Sequence, residues 1–167
     1  MMLNEKLVNK LNEQVTHEFE SSYVYMAMAA YLEHHSYNGF ASYMMEQAKE
    51  ENDHGMRIYH YLNDRGVQVK LGAIAAPPAE YTSVLDVFEK ALAHEKFITK
   101  KIHELAAVAT EEKDFATISF LNWFVDEQVE EEATFETHID YIKRFEEDNN
   151  ALYLYEQELG KRDFSAE

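Results

Sequence analysis

The sequence predicts an all-α protein, a four-helix bundle with one long crossover and a short fifth helix at its C-terminal end. Three observations predict it. Apolar residues recur at three-and-four spacing through four long windows. No run alternates in the manner of a strand, and no short-period repeat appears. The segment from Val67 to Tyr81 has no helical period, contains Gly72 and Pro77-Pro78, and is too long for a tight hairpin. In extended form such a segment can cross the length of a bundle.

In the first window Leu7, Leu11, Val15, Ser22, Tyr25, Ala29 and Leu32 form one stripe, predicting a helix over about residues 4–34. Asn38-Gly39 has the punctuation of a turn. A second stripe, Phe40, Met44, Gln47, Ile58 and Tyr61, predicts a helix over about 38–65, with Gly66 placed to cap its C terminus. After the crossover, Ser83 followed by Asp86 resembles a capping box. Val87, Ala91, Ile98, Ile102 and Leu105 then mark a third helix over about 83–109. Ile118, Leu121, Phe124, Phe135, His138 and Ile142 mark a fourth over about 113–147, ending at the Asp148-Asn149-Asn150 break. A short helix over about 151–160 follows. The long helices run roughly 27 to 35 residues, or about 40 to 50 Å at the standard rise, which suits a single bundle domain.

Composition narrows the chemistry. The 167 residues can bury a core without covalent support. Cysteine is absent, so a disulfide framework and a thiolate metal site are both excluded, leaving carboxylates and imidazoles as ligands. The formal charge of -17 disfavours nucleic acid and acidic membrane surfaces as partners and favours cations, although acidity alone reads simply as solubility. The longest apolar stretch, Tyr23 to Leu32, is about half the ~20 residues of a membrane span and follows a charged segment unlike a signal peptide. A soluble, cytoplasmic protein is expected.

The informative residues interrupt the apolar stripes. Glu18 falls three after Val15 and seven before Tyr25, on the face that should be dry. Glu51 and His54 project together from helix two as an E-x-x-H pair. Glu95 lies between Ala91 and Ile98, and Gln128 and Glu131 lie between Phe124 and Phe135. An E-x-x-H pair arises readily on a solvated helix face and says little alone. Joined by inward carboxylates from three other helices, it says much more. Converging buried carboxylates cannot be tolerated without a neutralising cation, because each loses several kcal/mol of hydration. Oxygen ligands with one imidazole and no thiolate suit a pair of iron or manganese ions better than zinc. Di-iron carboxylate bundles use a Glu from each of two helices and E-x-x-H from each of the other two, a pattern matched here incompletely. Tyr25, one turn beyond Ser22, is either a core residue, a hydrogen-bond donor to a ligand carboxylate, or an electron donor.

The segments H-E-F-E-S-S-Y-V-Y at 17–25, K-E-E-N-D-H at 49–54, H-E at 94–95 and N-W-F-V-D-E-Q-V-E-E-E at 122–132 resemble the bacterial non-haem ferritins over nearly the whole chain. The resemblance implies a ferritin-like fold and a ferroxidase centre. One iron would be bound by Glu18, Glu51 and His54, and a second, bridged by Glu51, by Glu95 and Glu131 with Gln128 close by. A third, acidic iron site would fall on Glu50, Glu127, Glu130 and Glu131. Thr134 stands where a second E-x-x-H would require His, which argues against bacterioferritin. Asn52 stands where a haem-binding relative would place methionine, so haem is not expected. Mini-ferritins lack the fifth helix and the intrasubunit ligand set.

The function so implied is oxidation of Fe(II) by O2 or hydrogen peroxide and storage of the ferric product in a hollow homo-oligomer of about 24 subunits, the fifth helices meeting at a fourfold axis. Outward aromatics such as Tyr31, Tyr37 and Trp123 are candidates for subunit contacts or for core positions. Two rivals stand beside this reading. A rubrerythrin-like di-iron peroxidase would not store iron, but the missing second E-x-x-H and the lack of cysteine count against it. A helical scaffold would pair its buried Glu residues with bases, and the inner stripes contain none.

Overall fold

Local sequence decides where each helix begins and ends. The computed structural model describes residues 3–166. Among them lie five helices, α1 (Glu5–His34), α2 (Asn38–Asp64), α3 (Val84–Glu111), α4 (Phe115–Phe145) and α5 (Asn149–Leu159), a 3-10 turn (Phe164–Ala166), and no strand. Four starts are capped by their own flanking side chains, which satisfy amide donors that have no partner within the helix. Asn4 accepts from Lys6 N at 2.8 Å, Ser83 from Asp86 N at 3.0 Å, Asp114 from Thr117 N at 2.9 Å, and Asp148 from Asn150 N and Ala151 N at 3.1 Å. Asp148 is thus a cap that launches α5 at Asn149. Asp86 reaches back to Thr82 N at 2.9 Å. The start of α2 is capped from a distance: Gly39 N donates to Glu156 of α5 at 2.9 Å.

Three helix ends share one geometry, a left-handed residue followed by two backward backbone bonds. At Gly66 (φ 71°) the bonds run from Gly66 N to Asn63 O and from Val67 N to Leu62 O, both 2.9 Å. Ser36 (φ 66°) and Lys113 (φ 53°) do the same for α1 and α3. The turn before α2 is therefore made by Ser36, while Gly39 lies within α2. The missing Cβ there has another use: one would collide with the Glu156 carbonyl of α5.

α1 packs along α2 and α3 along α4, two hairpins with short connections that run antiparallel. The crossover joins them by running along α1: Lys70 N donates to Asn12 Oδ1 at 2.6 Å, Gly72 N to Thr16 Oγ1 at 2.9 Å, and the Tyr81 ring lies 5.1 Å from that of Tyr31. A bidentate Arg65–Asp114 pair at 3.0 and 2.7 Å ties the end of α2 to the start of α4. Two apolar clusters fill the bundle. One is built around Tyr25, Phe40, Met44, Phe88 and Phe135, and the other around Leu7, Leu11, Ile58, Ile102 and Phe124. Tyr31 and Tyr37 are half-buried against the first, Trp123 against the second. Between the clusters lies a buried polar layer.

Candidate metal centre

Each long helix delivers its polar residue to this layer by replacing an apolar one on the inward face. Glu18, Glu51 and Glu95 are each 1% exposed, and His54, Glu131, Gln128 and Tyr25 are also buried. One ligand atom each from Glu18, Glu51 and His54 fall within 4.8 Å of one another, and so do one each from Glu50, His54 and Glu127. Both groups could hold a metal ion. His54 Nδ1 lies 3.3 Å from Glu51 Oε2.

Amides orient the carboxylates. Gln14, one turn before Glu18, donates to Glu18 Oε1 at 2.8 Å. Gln47, one turn before Glu51, donates to Glu51 Oε1 at 3.2 Å and to Glu131 Oε1 at 2.9 Å. Gln128 donates to Glu95 Oε2 at 3.1 Å and contacts Thr99 Oγ1 at 3.2 Å. The Tyr25 hydroxyl donates to Glu95 Oε1 in a short hydrogen bond and its ring stacks on Phe135. Glu18 Oε2, by contrast, is buried without any hydrogen-bond partner. A buried carboxyl oxygen left without a partner is costly, and a cation that takes the place of the carboxyl proton satisfies it.

The electrostatics carry the same demand. Burial, reinforced by Glu51, pushes Glu18 up to about 8. Burial, with Glu51 and Glu50, pushes Glu131 up to about 8. Glu95 is driven well above the carboxylate range by burial and by the charges of Glu51 and Glu131. Burial also opposes the charge of Glu51, but His54 and the Gln47 amide overcome it and hold this carboxyl below its usual value. Burial disfavours imidazolium at His54, yet the charge and hydrogen bond of Glu51, with Glu18 and Glu50, push it up to about 10. Without a metal, the layer is one ion pair surrounded by carboxyls that retain protons.

The acidic residues beside this layer divide. Glu50 is buried, Glu127 half-buried and Glu130 exposed. All three, with Glu131, line a cavity of about 470 Å³. Glu130 belongs to neither ligand group. Sequence reasoning missed Gln14, although its i−4 spacing from Glu18 marks it as readable. It also missed the partner of Glu50: Arg162, beyond α5, donates to Glu50 Oε2 at 2.5 Å. No periodicity points to that residue.

Residues 8–145 match the ferritin-like domain family. A bacterial non-heme ferritin of Staphylococcus aureus is 51% identical over 166 residues, 99% of this chain and 100% of that protein. One from Staphylococcus saprophyticus is 55% identical over 163 residues, 98% of each chain. Among solved structures, an open-pore ferritin from the hyperthermophilic archaeon Archaeoglobus fulgidus superposes with a TM-score of 0.95 at 42% identity, covering 96% of this chain and 99% of that one. A form of the A. fulgidus ferritin engineered to be closed gives the same score and identity over 97% and 99%.

Proposed function

The chain belongs to the ferritin family, with the bacterial non-haem ferritins as its curated relatives, and from that premise we propose that it is a ferroxidase that stores the iron it oxidises. The observation that carries the proposal is the buried layer of four carboxylates and one imidazole, with Glu18 Oε2 lacking any partner. Iron is the substrate. Glu18, Glu51 and His54 take one Fe(II), and Glu51, Glu95 and Glu131 a second, with Gln128 holding Glu95 in place. Binding releases the protons that Glu18, Glu131 and Glu95 retain in the empty layer, and His54 must give up its own before it can ligate. Each Fe(II) gives one electron, so a pair reduces O2 with two protons to hydrogen peroxide, or hydrogen peroxide with two protons to water. Pairing the metals avoids release of a one-electron-reduced oxygen species.

Tyr25 serves as the donor that fixes Glu95, and its hydroxyl, raised by burial and by Glu95, stays protonated. Glu50, Glu127, Glu130 and Glu131 form the route by which iron passes to the interior of a homo-oligomeric shell of about 24 subunits. The relatives described as ferritins support assembly of this kind. Asn52, exposed on α2, offers no axial ligand, and the protein is expected to purify without a haem absorption band.

The test adds Fe(II) in large excess to the aerobic, metal-free protein and measures iron in the particle eluted from a sizing column. Storage requires iron far above a few ions per subunit in a large particle. A small species retaining roughly two would instead indicate a di-iron enzyme of the peroxidase kind, and none at all a scaffold. Glu18→Ala and His54→Ala are expected to slow initial oxidation at least about tenfold while leaving assembly intact. Unchanged initial rates would remove the assignment.

A further inference from the structure

The residues after α5 fold back over α2. Glu156 caps the start of α2, and Gly160 approaches so closely that a Cβ built on it would stand 2.9 Å from Gly39 Cα. Phe164 N then donates to Glu46 Oε2 at 3.0 Å. Between these anchors the chain delivers Arg162 to the rim of the metal layer, its side chain 14% exposed against 10% for Glu50. The guanidinium donates to Glu50 Oε2 at 2.5 Å and to Gln47 Oε1 at 2.6 Å, and lies 4.8 Å from the centroid of the Tyr43 ring.

Both acceptors belong to the centre. Glu50 is a member of the Glu50–His54–Glu127 ligand group. Gln47 has given its carbonyl oxygen to Arg162, so only its NH2 remains to face Glu51 and Glu131. A planar guanidinium can hold a carboxylate and an amide oxygen at once, which an ammonium on a flexible stem does poorly.

We infer that Arg162 is a tethered counter-cation that weakens metal binding at the Glu50 site and locks the orientation of Gln47. This rests on the reading of the layer as a metal centre. A divalent ion reaching Glu50 must share its charge with the guanidinium and meets like-charge repulsion at short range. The Glu50 site therefore accepts an ion without retaining it. That is the property required of a passage out of the buried layer into the cavity that Glu50 and Arg162 line together with Glu127 and Glu130.

The experiment titrates Zn(II) into the full-length, assembled, metal-free protein by calorimetry, comparing wild type with Arg162→Gln and Arg162→Lys. R162Q should bind a further Zn(II) at least about tenfold more tightly than wild type, with R162K between the two. Adding Glu50→Gln to R162Q should abolish the gain. Equal affinities in wild type and R162Q would overturn the inference, as would R162K matching R162Q, which would assign the effect to packing, or a gain that survives E50Q. Should R162Q fail to assemble, Arg162→Met, which also removes the charge, takes its place under the same criteria. Absence of tight Zn(II) binding in every protein would sink the metal-centre reading, and this one with it. Two tight sites in wild type with no response at Arg162 would sink this one alone.

Discussion

At Glu18 the two carboxylate oxygens meet different fates, one held by Gln14 and the other buried with nothing to accept from. Burial, reinforced by the charge of Glu51, makes Glu18 and Glu131 of the metal-free protein sensitive to pH. Glu18 and Glu131 titrate near 8 when folded, against an ordinary value of 4.5. Between those values the native state holds protons that the unfolded chain has released, so stability falls as pH rises through the window. His54, raised from 6.5 to about 10, acts in the same direction: its contribution is whole below 6.5 and lost as pH passes 10. The thermal midpoint of the metal-free protein is expected to drop from about pH 6 to 9, and Zn(II) to flatten the drop by displacing the same protons; melting curves across pH with and without Zn(II) check both. Gln47 touches Glu51, Glu131 and Arg162 together, so Gln47→Ala should lower the Fe(II) oxidation rate by about 10- to 100-fold, measured by stopped-flow absorbance. The burial of Glu18, Glu51, Glu95 and Glu131 was legible because each interrupts an apolar stripe. Arg162 was not, since a residue beyond the last helix has no period to betray the face it meets.

At the scale of the element, the α2 start depends on a neighbour. Gly39 N finds its acceptor on α5, and the glycine is there to admit the Glu156 backbone. Gly39→Ala should push α5 outward and destabilise the protein by about 1–3 kcal/mol, with the loss of amide protection in hydrogen exchange concentrated in residues 149–166. Protection unchanged there would show that α5 is not seated on that contact. Asn38-Gly39 suggests a turn by composition, and the structure puts the left-handed residue at Ser36 instead. Gly66 was readable as a helix end because glycine has no Cβ to clash. Ser36 and Lys113 were not, because their φ values are imposed by the backbone bonds of the motif. The Ser83 cap was visible from its spacing to Asp86, whereas the capping of α2 by Glu156 spans 117 residues and leaves no local trace.

Across the whole molecule, the two apolar clusters are separated by the polar layer, and the crossover is the chain's covalent route from one hairpin to the other. Its long period-free stretch with Gly72 and Pro77-Pro78 made it readable. Its path along α1, set by Asn12, Thr16 and Tyr31, was not, because those contacts depend on rotation about the helix axis. Glu18, Glu51 and His54 all lie on the first hairpin, while Glu95, Gln128 and Glu131 all lie on the second. Each half of the chain therefore supplies part of the centre, and on the proposed assignment the second ion, held by Glu51, Glu95 and Glu131, would cross-link the two hairpins. Residues 71–76 of the crossover are exposed. A chain nicked there should keep its halves together when Zn(II)-loaded and separate at lower temperature when metal-free, as sizing chromatography of the heated, nicked protein would reveal. The ion would then take over the task of peptide continuity, so that loading the protein also makes it tolerant of its own cleavage.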